Sequence, residues 1–237
     1  MVRKHGDSRE RPRRFYKQAE ARDRQVHLDG RLLRTPGKAV LALPTDAAAL
    51  MVAGEWSAQV EVIDFATMPA TRHAYTAIDR VSAAREGVIQ EIARYAGSDL
   101  LCYFAEAPTA LVQREAEHWS PLLTWAEDEL GLAFLPTEGV SPQLQPPETI
   151  AKVVTLVAQL DDFRLSAVAF GAALFGSAVL ALALERGRLT GDQAFEMSRV
   201  DEAFQEEQWG VDEEAAERTA NQRVEAVTLD QWLKALV

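Results

Sequence analysis

The stretch Leu165–Leu184, LSAVAFGAALFGSAVLALAL, holds twenty residues without an ionisable side chain, and any fold of this chain has to bury them. A run of that length is long enough to cross a bilayer. Its composition argues otherwise: seven Ala, two Gly and two Ser make it small-sided rather than greasy, and Glu185 and Arg186 follow without a basic stop-transfer cluster. We read it as one helix with protein on every side, the axis of a bundle whose neighbours approach closely over small residues. Asp161 and Asp162 are placed to cap it and Gly187 to end it. No stable membrane insertion is expected.

The remaining 217 residues have to supply that cover, and a chain of 237 residues that is 48% apolar has the means, as one large domain or two smaller ones. A single cysteine, Cys102, excludes an internal disulfide, and its apolar neighbours Leu101, Tyr103 and Phe104 mark it as a packed thiol rather than a nucleophile. Net charge is −11, unevenly placed: residues 1–24 carry nine Lys/Arg against four Asp/Glu, which leaves −16 for the rest. Such a body repels phosphates, so nucleic acid is not an expected partner; a basic protein surface is.

Residues 1–13 read as a basic flexible arm, 14–65 as a small β-rich N-terminal domain and 66–237 as a larger all-helical C-terminal domain, an α+β fold overall. In the first, Val26–Leu28 and Arg31–Leu33 flank Asp29-Gly30, a tight-turn pair, and Ala39–Leu43 is expected to return as a third strand before Pro44. Thr45 or Asp46 then caps a helix to about Gln59 whose apolar face includes Trp56. Helices follow over 71–96, over 108–130 with Pro121 splitting or kinking it, and over 147–160; Leu132–Leu135 is a candidate last strand. Thr190 to Gln193 has capping-box spacing and opens a helix to Trp209, and Asp212 caps the final one.

Chemistry is scarce. The four histidines are scattered, no HExxH or CxxC occurs, and neither a metal nor a cofactor is expected. Gly171 to Ser177 has the glycine spacing of a phosphate loop but lacks its lysine, and lies inside the uncharged run. One stretch stands out: from Asp201 to Glu217 there are eight acids and no base. On a helical wheel Met197, Val200 and Phe204 share one face with Asp201, Glu207 and Gln208 beside it, and Glu202 and Glu206 lie opposite with Phe195, Arg199 and Trp209. Three readings stay open at this point. The carboxylates are a solvated face with one or two satisfied internally by Arg72 or Arg199; or Trp209 and the Glu side chains form a partner site for a basic surface; or Glu202 and Glu206 act as an acid–base pair of a small-molecule enzyme in an interdomain cleft.

The segment SRVDEAFQEEQWG, residues 198–210, resembles the C-terminal signature of the assembly chaperones for the F1 sector of ATP synthase, the family that attends the alpha subunit. Other pieces resemble that family in the same order: Arg14-Phe15-Tyr16, Asp29-Gly30-Arg31 with Arg34-Thr35-Pro36, Glu55-Trp56, Met68-Pro69 with Thr71-Arg72, Asp99 to Tyr103, and Trp119 with Pro121 to Trp125. The resemblance implies a two-part fold without enzymatic activity. It also implies a mechanism in which the unassembled alpha subunit is held and its apolar interface covered until the beta subunit arrives. On that reading Asp201, Glu202, Glu206, Glu207 and Trp209 bind the partner, and Trp56 and Arg72 support the fold. The free protein is expected to be monomeric, and cytoplasmic in a bacterium or in the mitochondrial matrix of a eukaryote.

Overall fold

The computed structural model describes residues 11–139, 141 and 143–237. Most of the expected N-terminal arm, with His5, and Pro142 of the proline-rich loop lie outside the described residues.

The chain opens as a meander of three antiparallel strands, β1 (Ala19–Arg22), β2 (Gln25–Leu28) and β3 (Arg31–Leu32). The Asp29-Gly30 turn is where the sequence puts it, with φ of 49° and 76°, the positive pair that a two-residue hairpin turn requires. The Asp29 carboxylate also accepts from the backbone N–H groups of Lys17 and Gln18. Residues 23–24 make the same kind of turn at φ of 52° and 59°, which no Gly or Asn announces in the sequence, so β1 is an addition to the expected set. Ala39–Leu43 does not form a full strand. It touches the sheet only through the single bridges Arg34–Val40 and Gln25–Ala42, because the Ala42 N–H turns back to the Val40 carbonyl and breaks the ladder. Its Leu41 and Leu43 are buried all the same.

Helix α1 (Asp46–Ala58) follows, capped by the Thr45 hydroxyl on the Ala48 N–H. It lays Val52 and Trp56 into the core, where the Tyr16 hydroxyl donates to the Trp56 carbonyl at 2.6 Å. Glu55 projects to the start of α2 (Pro69–Thr76) and accepts from the Ala70 and Thr71 N–H groups and the Thr71 hydroxyl, all at 2.7 Å. A carboxylate from one helix thus caps the next, where the first-turn N–H groups have no partner of their own. A π-helical turn over Ala77–Val81 joins α2 to α3 (Ser82–Gly97).

After a short parallel pair, β4 (Tyr103–Phe104) with β5 (Thr137–Glu138), the remainder is helical: α4 (Thr109–Leu130), α5 (Pro147–Val157), α6 (Asp162–Phe175), α7 (Ala178–Glu185), α8 (Gly191–Ser198), α9 (Val200–Trp209) and α10 (Glu213–Ala235). Helix α4 is not split: it runs through Pro121, which removes a single donor while Trp119, Leu122 and Ala126 hold the buried face together. Residues 132–135 form no strand.

The uncharged run is buried as expected but is two helices, not one. Gly176 takes a left-handed φ of 65° and ends α6, and Ser177 caps α7 through its hydroxyl on the Leu180 N–H. Every residue of α7 is buried. The fold fixes this corner from outside: the buried Asp99 carboxylate accepts from the Ser177 hydroxyl at 2.6 Å, the Val179 N–H at 3.0 Å and the Leu101 N–H at 3.2 Å. Burial pushes that carboxyl up to about 6, opposed by the same hydrogen bonds. Among the described residues no helix is long and apolar enough to cross a membrane.

Among the described glycines, Gly191 has the closest neighbour, where α8 meets α10. A Cβ on Gly191 would stand 2.1 Å from the Ala226 carbonyl oxygen, whereas one on Gly54, inside α1, would meet nothing within 4 Å. Gly191→Ala is therefore expected to destabilise the protein by about 1–3 kcal/mol, and Gly54→Ala to stabilise it by about 0.5–1 kcal/mol. Urea denaturation of the two variants checks both signs; a neutral Gly191→Ala would contradict the packing described.

Candidate functional site

The acidic stretch folds as two helices rather than one. The backbone leaves helical geometry at Arg199 (φ −124°, ψ 22°) between α8 and α9, so α9 sets off in its own direction and packs on α4. Three side chains of α4 receive it and the end of α8. Trp119, fully buried, donates its indole N–H to the Met197 carbonyl at 2.9 Å. Arg114 forms a bidentate pair with Glu207, both bonds 2.8 Å, and lies over the Phe204 ring with its guanidinium carbon 5.2 Å from the centroid. Glu115, wholly buried, accepts the Ala105 N–H at 2.7 Å and has Asp201 as a close neighbour.

That last contact sets two carboxyl groups against each other in a dry place. The Glu115 Oε1 and the Asp201 Oδ1 are buried, and neither has a hydrogen-bond partner among the described residues. Burial first, and then the neighbouring Asp201, push the Glu115 carboxyl up to about 8, which favours its protonated form. The Arg114 pairing acts in the opposite sense on Glu207, holding its carboxyl below the usual range.

The five residues singled out for partner binding therefore divide. Asp201, Glu206 and Glu207 are engaged inside the molecule, with Glu115, Arg199 and Arg114 in turn. Asp212 caps α10 and Glu214 pairs with Arg218 one turn on. Glu202 is exposed and has no ion-pair partner among the described residues, and Trp209 is 86% exposed, beside the half-exposed Val211. What α9 and the turn into α10 present outward is thus an indole, a valine and free carboxylates, on a helix tied down by the Arg114–Glu207 pair, which is exposed, and the Arg199–Glu206 pair, which is partly buried.

Trp56 and Arg72 lie elsewhere. Trp56 sits in the N-terminal core between Tyr16 and Phe65. Arg72, on α2, donates to Glu225 of α10 at 2.7 Å. Glu206 is tied to Arg199, and neither Glu202 nor Glu206 lines the cleft beside α2. Cys102 is buried, and burial raises its thiol well above the ordinary value. Among the described residues no group of three His, Cys, Asp or Glu side chains is placed to hold a metal ion.

Sequence reasoning missed Arg114 and Glu115, although the second left a signal. Leu111, Glu115, Trp119, Leu122 and Ala126 recur at helical spacing and all are buried, so a carboxylate interrupts an otherwise apolar stripe. Such a position requires a partner.

Comparison with known proteins bears on the whole chain. Residues 13–127 match the family model described as ATP12 chaperone protein. The crystal structure of Atp12 from Paracoccus denitrificans superposes with a TM-score of 0.90 at 42% identity, covering 95% of this chain and 99% of that one. That of the Atu1473 protein from Agrobacterium tumefaciens superposes at 0.89 and 41% identity, covering 95% of this chain and 87% of that one. The mitochondrial protein atp12 of Schizosaccharomyces pombe is 23% identical over 221 residues, 86% of this chain and 76% of its own length.

The Glu115–Asp201 pair carries its own prediction. Because the folded protein holds the Glu115 proton more tightly than the unfolded chain does, its contribution to stability is complete below about pH 4.5 and is lost as pH rises towards about 8. Glu115→Gln keeps an acceptor for the Ala105 N–H without that dependence. Its melting temperature relative to the unaltered protein should climb between pH 5 and pH 8, as scanning calorimetry would show; a difference constant with pH would contradict a protonated Glu115.

Proposed function

The chain belongs to the ATP12 chaperone family, and we propose that it serves assembly of the F1 sector of ATP synthase by holding the unassembled alpha subunit. The observation that carries this reading is the exposed turn after α9, where Trp209 and Val211 stand beside free carboxylates on a rigid base. An exposed aromatic anchor rimmed by charge is the composition of a protein-binding surface, since the ring supplies contact area and the charges select the partner. An orphan subunit exposing a large apolar interface is prone to aggregate. A chaperone that covers such a surface reversibly needs no bond-making chemistry, and the beta subunit displaces it by competing for the same apolar face.

In this account the signature residues have two duties. Glu202 and Trp209 touch the client; Asp201, Glu206 and Glu207 hold α9 at the angle that presents them. Arg72 keeps α10 in register through Glu225, and Trp56 holds the N-terminal core on which α2 is capped.

Co-expression with the alpha subunit alone tests this. The unaltered protein should keep alpha soluble and co-purify with it. Glu202→Lys and Trp209→Ala should each reduce capture at least about tenfold, a loss of roughly 1.4 kcal/mol or more in binding, with circular dichroism unchanged. Undiminished capture by both variants would remove this surface as the site.

A further inference from the structure

A cleft of about 700 Å³ opens between α2, the π-helical turn, α3 and α6, within the size range of ligand-binding pockets. No residue of α9 lines it. Its walls are apolar and aromatic: Phe65, Tyr75, Val81, Val88, Phe170 and Ala173. A π-helical turn forms one side, an irregularity that recurs at functional sites.

Polar groups interrupt this lining at its floor. His73 and Ser166 are 6% and 4% exposed and line the cleft, and neither side chain has a hydrogen-bond partner among the described residues. Burial and the neighbouring Arg72 hold His73 neutral, its pKa lowered to about 4. Arg72 gives one N–H to Glu225 and keeps a buried Nε–H with no acceptor. Of the charges at the rim, Asp79 is consumed by the Thr35 hydroxyl at 2.6 Å and the Gly37 N–H at 2.8 Å, and Glu91 faces Arg94 at 3.8 Å. Arg80 has no carboxylate within ion-pair distance among the described residues. In a chain of net charge −11, this cleft is a place where unspent donors and a free cation surround apolar walls.

We propose that the cleft binds a segment of the client in which a large apolar side chain stands next to an acidic residue. The apolar side chain lies among Phe65, Tyr75 and Phe170, and the carboxylate accepts from Arg72 and Arg80. The inference rests on the chaperone reading and adds a second contact to it. It also gives the two surfaces opposite charge preferences, since the carboxylates of α9 repel what the cleft attracts. A client held at both points is bound more tightly than by either alone.

The test uses fluorescein-labelled 15-residue peptides tiled over the alpha subunit, titrated into the full chain and read by fluorescence polarisation. Arg80→Glu alters an exposed rim charge, and Ala173→Trp fills the cleft from an exposed position of α6. Peptides joining an acid to a large apolar residue should bind the unaltered protein, and each variant should weaken them about tenfold. Glu202→Lys should leave these peptides unaffected while reducing capture of the whole subunit. Peptide binding indifferent to both cleft variants overturns the proposal, as does binding that Ala173→Trp leaves intact and 0.5 M salt abolishes, or the absence of any bound peptide. Failure of the unaltered protein to capture the whole subunit would instead sink the chaperone reading, and the cleft assignment with it.

Discussion

The buried carboxylate of Asp99 holds the corner on which the helical part is built. It gathers the Ser177 hydroxyl and two backbone N–H groups, one at the start of α7 and one in the turn after α3. Without it, the uncharged run from Leu165 to Leu184 has no fixed place to bend. With it, α6 and α7 lie against each other, α7 is covered on every side, and its end at Glu185 meets Arg164 of α6. The chain that leaves this corner returns through α8 into α9, whose outer surface is the candidate client site. The carboxylate is costly to bury, which is why it is ringed by donors.

A second constraint sits at α4. Arg114, Glu115 and Trp119 reach α9 and the end of α8 and use three kinds of contact: a bidentate ion pair, a close pair of carboxyl groups, and an indole N–H on a carbonyl. Each takes up a group that would otherwise be free on an acidic helix. Eight acids in one stretch would repel one another if left unpaired, and the structure disposes of several of them internally. What remains outward is small in area and mixed in character, in keeping with reversible holding.

Much of this was legible in the sequence. Caps at Thr45, Asp161, Thr190 and Asp212 were readable because a short polar side chain before an apolar periodic run has one good use. The Asp29-Gly30 hairpin was readable for the same kind of local reason. What failed depended on distant partners. The bend at Gly176-Ser177 was hidden by the continuity of the apolar run, since nothing local distinguishes a capping serine from one packed inside a helix; Asp99, 78 residues away, decides it. The break at Arg199 and the engagement of Asp201 and Glu207 depend on α4, so a helical wheel drawn on one segment could not separate anchoring carboxylates from free ones. The first hairpin turn, at residues 23–24, carries no glycine, and the sheet rather than the turn's own preference imposes it.

The central claim is that the exposed turn after α9 meets the client while the paired carboxylates beneath it serve the fold. Hydrogen–deuterium exchange of the full chain, alone and bound to the alpha subunit, tests it most directly. The account predicts that protection on binding concentrates over residues 202–212, with the backbone around Glu115 and Trp119 already slow to exchange in the free protein. Protection confined to other elements, with 202–212 unchanged in the complex, would contradict it.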